Sequence, residues 1–84
     1  MYQAPLDRNH KPIVAGDNVK VVEIPARLPV GLPREDQIAI HAQHGKTLTI
    51  QGFDQNGYAE LEFVDSAGHV HTIWIEPYCL EKIG

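Results

Sequence analysis

The sequence has one cysteine, Cys79, among 84 residues. No internal disulfide can staple the chain, and a lone thiol fits a reducing compartment. No uninterrupted apolar stretch exceeds three residues, far short of the ~20 that a membrane-spanning helix needs. Met1 to His10 hold no apolar run of signal-peptide length. Together these absences read as a cytoplasmic protein. Aromatics are few, with one Trp, three Tyr and two Phe. Basic residues are also scarce, seven against eleven acidic ones, for a formal net charge of −4. They form no stripe, which argues against nucleic-acid backbone binding, because each phosphate contact needs a cation. There is no internal repeat and no low-complexity tract. The chain is too short for two domains, and a domain of this size rarely encloses the ~300 Å³ a substrate requires.

What is present suffices for one core. Val, Ile, Leu and Phe supply 23 of the 84 residues, above the ~20% below which disorder sets in. The charge is lopsided. Residues 1–53 carry six basic and five acidic side chains, whereas residues 54–84 carry one basic and six acidic. An acidic C-terminal third suits a basic protein partner.

Residues 1–12, with Pro5 and Pro12, read as an irregular N-terminal arm, and residues 13–84 as the folded domain. Gly16-Asp17 is a turn, and alternation of Val19, Val21 and Val22 with Lys20 and Glu23 predicts a strand over about 18–24. Pro25, Pro29, Gly31 and Pro33 then forbid regular structure up to about 33. Residues 33–44 read as a short helix. Pro33 suits a first turn, Glu35 and Asp36 lie near the positive end, His41 and His44 near the negative end, and Gly45 follows. Ile38 and Ala42 are spaced for its buried face. The stretch 38–42 also alternates like a strand, but both termini favour helix.

After Gly45 the period becomes two. Leu48 and Ile50 form one strand, Asp54-Gln55-Asn56-Gly57 a tight reversal, and Ala59, Leu61 and Phe63 the inner face of the next strand. A turn at 54–57 pairs Ile50 with Leu61 and Leu48 with Phe63, whereas a two-residue loop at 56–57 pairs Ile50 with Phe63. The inner face is the same in both. Asp65 to Gly68 form a second reversal. An odd loop at 65–69 buries Ile73 and Ile75 against Leu61 and Ala59, and an even loop would bury Val70 and Trp74 instead. The isoleucine register is preferred. Pro77 ends that strand. Cys79, Leu80 and Ile83 close the base of the core in a short 3-10 turn and a last strand. The expected fold is therefore mainly β, a small five-stranded barrel with one short helix in the long loop after the first strand.

Gly16-Asp17-Asn18-Val19-Lys20-Val21, Arg27-Leu28-Pro29, Leu32-Pro33-Arg34, Gly45-Lys46 and Trp74 to Leu80 carry a resemblance across about residues 14–83. The chain resembles the SH3-like barrel family, in particular small bacterial barrels of the nitrile hydratase β-subunit type and the electron-transport accessory type. The resemblance implies an accessory role, docking beside a larger catalytic or redox subunit. It transfers no catalytic residue, because the hydratase metal cluster, Cys-x-x-Cys-Ser-Cys, belongs to the other subunit and has no counterpart here.

The outer face of the third and fourth strands should gather Tyr58, Glu60, Glu62, Thr72, Trp74 and Glu76. An aromatic anchor among carboxylates is suited to protein contact. Trp74, Tyr58, Glu60 and Glu62 are the predicted partner-binding residues. The alternative is that Trp74 packs beneath the 25–33 loop as a second small core. His69 with His71, and His41 with His44, have spacings that can chelate zinc or nickel, but neither pair reads as a closed ligand set. Surface histidines are the plainer reading, and no cofactor is expected. Catalysis is not expected either. Cys79 lies in an apolar stretch, and Glu60 and Glu62 would sit ~6.5–7 Å apart on a convex, solvated sheet. The functional expectation is a non-catalytic binding or accessory module, monomeric or weakly dimeric. The alternatives are a histidine-based metal-binding domain or a nucleic-acid-binding barrel of KOW or Tudor-like type acting through Arg27, Arg34 and Lys46.

Overall fold

The computed structural model describes residues 4–84. Five antiparallel strands form one sheet, and one short helix interrupts the long loop after the first strand. The strands are β1 (Asn18–Val21), β2 (Thr47–Phe53), β3 (Ala59–Val64), β4 (Val70–Ile75) and β5 (Leu80–Lys82), and the helix is α1 (Arg34–His41). The sheet order is β4-β3-β2-β1-β5. Among the described residues no ladder joins β4 to β5, so the sheet ends in two edges rather than closing on itself. No helix among these residues is long and apolar enough to cross a membrane.

Strand β2 serves two neighbours with its two halves. Thr47, Leu48 and Thr49 pair with β1, whereas Ile50, Gly52 and Phe53 pair with β3. The register shifts between Ile50 and Gly52, so Gln51 is the extra residue of a bulge. A bulge bends its strand and increases the local twist. Ile50 faces Leu61 as expected, but through a three-residue loop closed by Asp54 and Tyr58 and offset by the bulge, and Leu48 pairs with Val19 rather than with Phe63. Between β3 and β4 the register is regular, with Ala59 opposite Ile75, Leu61 opposite Ile73 and Val64 opposite Val70. This is the odd-loop register, and Ile73 and Ile75 are accordingly buried beside Leu61 and Ala59. The core also contains Ile13, Val19, Val21, Ala39, Ile40, Ile50, Phe63, Cys79 and Leu80. Strand β1 ends at Val21 rather than continuing to 24, and Val22 is half-buried.

The helix turns a different stripe inward from the expected one. Ala39, Ile40 and Gln43 are buried, whereas Ile38 is 58% exposed and Ala42 is also exposed. Two apolar stripes were available on these turns, and the tethers decide between them. The Gly45 N–H donates to the Val21 carbonyl at 2.7 Å, and the Val21 N–H donates to Lys46 at 2.9 Å. At the other end the Gln37 side chain donates to the Leu32 carbonyl. These bonds fix the rotation of the helix against the end of β1, a constraint that periodicity cannot express.

Three reversals share one construction. In Asp7–Lys11, Asp54–Tyr58 and Asp65–His69 the aspartate N–H donates to the carbonyl four residues on, and its carbonyl accepts from the residue three on. Its Oδ1 accepts the N–H groups two and four residues on. This is a three-residue hairpin loop whose third loop residue needs positive φ. Glycine fills that position in two of them, with φ of 81° at Gly57 and 88° at Gly68. The first uses His10 at φ 63°. A side chain there carries a left-handed penalty of about 1–2 kcal/mol, offset partly by the greater freedom glycine has when unfolded. His10→Gly is therefore expected to raise stability by about 0.5–1 kcal/mol, read as a higher urea midpoint with an unchanged slope.

Candidate docking face

The alternation of β3 and β4 places Tyr58, Glu60, Glu62, Thr72, Trp74 and Glu76 on the side away from the core. Glu60 lies directly opposite Trp74, and Glu62 opposite Thr72. The four residues expected to bind a partner thus share one face. Trp74 is 42% exposed, Glu62 is exposed, and Tyr58 and Glu60 are half-buried. Among the described residues neither Glu60 nor Glu62 takes part in an ion pair.

Arg27, from the proline-rich loop, clasps one end of this face. Its Nη2 donates to the Trp74 carbonyl at 3.1 Å and to the Glu76 carboxylate. Its guanidinium carbon lies 4.9 Å from the centre of the Tyr58 ring, in cation–π range. The bond to Glu76 raises the Arg27 pKa above its ordinary value. The loop therefore holds the backbone of Trp74 while leaving much of its ring in solvent, an arrangement between the two readings of that residue. Behind Trp74, between β4 and the loop–helix segment, lies an open cavity of about 300 Å³. A larger groove of about 530 Å³ runs between α1 and the β3–β4 reversal.

The histidines divide differently. His71, the second residue of β4, faces inward, and its ring stacks on Phe63 with centroids 5.0 Å apart. Its Nε2 is 2.8 Å from Asp65 Oδ2. His69 lies in the reversal rather than on the strand, exposed, with Nδ1 3.5 Å from the same oxygen. The hydrogen bond from His71, followed by the His69 backbone N–H, holds the Asp65 carboxyl down at about 2. His41 is exposed at the end of α1, and the His44 ring contacts the Val22 carbonyl at 3.1 Å. The two pairs do not converge. Among the described residues no group of three or more His, Cys, Asp or Glu side chains is arranged to hold a metal ion. Cys79 is fully buried, and burial, reinforced by Glu23 and Glu76, pushes its thiol up to about 11. It stays protonated at neutral pH and is a poor nucleophile.

Two residues matter here in roles that pattern reading did not assign. Arg27, which the sequence offers only in the resemblance and as a candidate nucleic-acid contact, bonds Trp74 and Glu76 across 47 and 49 positions, and no local signal points to that role. Asp7 is 3% exposed and accepts backbone N–H groups from Asn9, Lys11 and, from β5, Lys82. Its Asp-Arg-Asn-His string lacks the glycine that marks the other two reversals. Comparison with known proteins finds no matching family model, no similar curated protein and no similar solved structure.

Proposed function

We propose that this chain is a non-catalytic docking module built on an SH3-like barrel, binding a basic surface of a protein partner through Trp74, Tyr58, Glu60 and Glu62. Two features favour the barrel reading. The strand order places β5 beside β1, and the bulge at Gln51 bends β2 between two sheet halves. The observation that carries the docking reading is a half-exposed tryptophan directly opposite one carboxylate and diagonal to another, on a sheet face that Arg27 clasps at one end. Aromatic area supplies desolvation, and the carboxylates supply steering and register. The loop that borders this face is stiffened by Pro25, Pro29 and Pro33, which lowers the ordering cost of docking.

The test uses the full chain as bait in extract of its own cells, with Trp74→Ala and Glu60→Gln/Glu62→Gln alongside. A partner captured by the wild type is expected to bind each variant at least about 30-fold more weakly, as for a central anchor. Its capture should also weaken as salt rises. Melting temperatures of the variants should stay within a few degrees of the wild type. Undiminished capture by both variants, or collapse of the Trp74→Ala fold, overturns the reading.

A further inference from the structure

The cavity behind Trp74 has a composition that names its occupant. Leu28, Leu32 and Ile40 line it with apolar surface, and Trp74, Asp36, Arg27 and His71 also border it. Asp36 sits in the first turn of α1, half-buried, and among the described residues it is in no ion pair. The charge of Arg27 is already matched by Glu76, and the His71 ring is already hydrogen-bonded to Asp65. The net character of the cavity is therefore an aliphatic lining, an aromatic wall and one unneutralised carboxylate.

The geometry points to a basic side chain of the docked partner, a lysine or an arginine, as the group that enters this cavity. Its methylene stem would lie against Leu28, Leu32 and Ile40, and its cationic head would sit beside Trp74 and Asp36. Long basic side chains suit such places because their stems are apolar and their heads seek aromatic faces and carboxylates. This rests on the docking function proposed above and specifies its anchor. The adjoining face points the same way, since Glu60 lies opposite Trp74 and Glu62 opposite Thr72, and among the described residues neither is in an ion pair.

The chain holds one tryptophan, so the Trp74 indole signal in nitrogen-edited NMR is a clean reporter. The probes are acetyl-Gly-Lys-Gly-amide and its isostere with norleucine in place of lysine. The lysine peptide is expected to shift the indole signal saturably in the millimolar range, and the norleucine peptide to leave it in place. Asp36→Asn should weaken the lysine peptide about three- to fivefold, the range for a partly exposed ion pair. Leu32→Arg, which supplies a cation from the chain itself at a half-open position, should abolish the shift. Equal response to both peptides, or an Asp36→Asn variant that binds like the wild type, overturns the inference. The docking reading can be separated from it. A partner lost with Trp74→Ala but retained in full with Asp36→Asn leaves the face standing and removes the cavity as its anchor. A partner retained with Trp74→Ala removes the face itself.

Discussion

Asp7→Ala is expected to destabilise the fold by about 3 kcal/mol, a large share of the roughly 4–12 kcal/mol available to a domain of this length. The reason is that one buried carboxylate satisfies three backbone N–H groups. Asn9 and Lys11 donate to Oδ1 at 2.8 and 2.9 Å, and Lys82 donates to Oδ2 at 2.7 Å. Truncation strands these part-buried donors together, and a donor left unmet where water is partly excluded costs more than the hydrogen bond was worth. The loss is also topological. The Lys82 bond, with the Arg8 N–H to the Leu80 carbonyl, fastens the N-terminal hairpin along β5. The melting temperature should fall by about 12–24 °C, at about 4–8 °C per kcal/mol for a domain of this size. Asp7→Asn should cost less, because one amide oxygen can still accept, but its NH₂ would confront the Lys82 N–H.

The same residue sets a pH dependence. Burial alone would push the Asp7 carboxyl up, but the backbone donors, Lys82 foremost, outweigh it and bring the pKa below 3.8. A depressed folded-state pKa means that the unfolded chain binds the proton more readily. The stabilisation is therefore complete above about pH 4, near the unfolded value, and is lost as pH falls through the lower folded value. Urea denaturation in steps from pH 6 to pH 2 should show a steeper loss for wild type than for Asp7→Asn. Asp65, held at about 2, keeps some acid sensitivity in both. Parallel curves would mean that Asp7 is not the buried acceptor described above.

How far the sequence leads depends on whether the cause is local. The Asp54 and Asp65 reversals were legible because each glycine sits where positive φ is required, and the inner face of β3 and β4 because side-chain alternation is a property of the backbone. The Ile38 and Ala42 face failed for the opposite reason. Which stripe of α1 turns inward is set by Gly45 bonding to Val21, a contact between elements that periodicity does not encode. The bend of β2 at Gln51 was equally invisible, since nothing in Ile50-Gln51-Gly52 requires a bulge. That Tyr58, Glu60, Glu62 and Trp74 share one face was legible, because alternation placed them there. Arg27 across Trp74 and Glu76, and Asp36 beside the cavity, depend on where the long loop lies and could not be read in advance.

Leu61→Ala is expected to cost about 3–4 kcal/mol, the upper-middle range for a leucine truncated in a core that cannot collapse around the gap. Leu61 is fully buried at the centre of the sheet, with Ile50 opposite on one side and Ile73 opposite on the other. Strands hold its neighbours on both flanks, so little relaxation can refill the space. Val64→Ala on the same strand is the control. Val64 is 61% exposed, and its truncation should change stability by no more than about 0.5 kcal/mol. The contrast reaches beyond stability, because the side-chain period of a strand is two. If Leu61 points into the core, then Glu60 and Glu62 must point out, and the cross-strand partner of Glu60 is Trp74. A cost for Leu61→Ala below about 1 kcal/mol, or one no greater than that for Val64→Ala, would mean a register one residue away. It would turn the carboxylates inward and remove the acidic-aromatic face on which the proposed docking function depends.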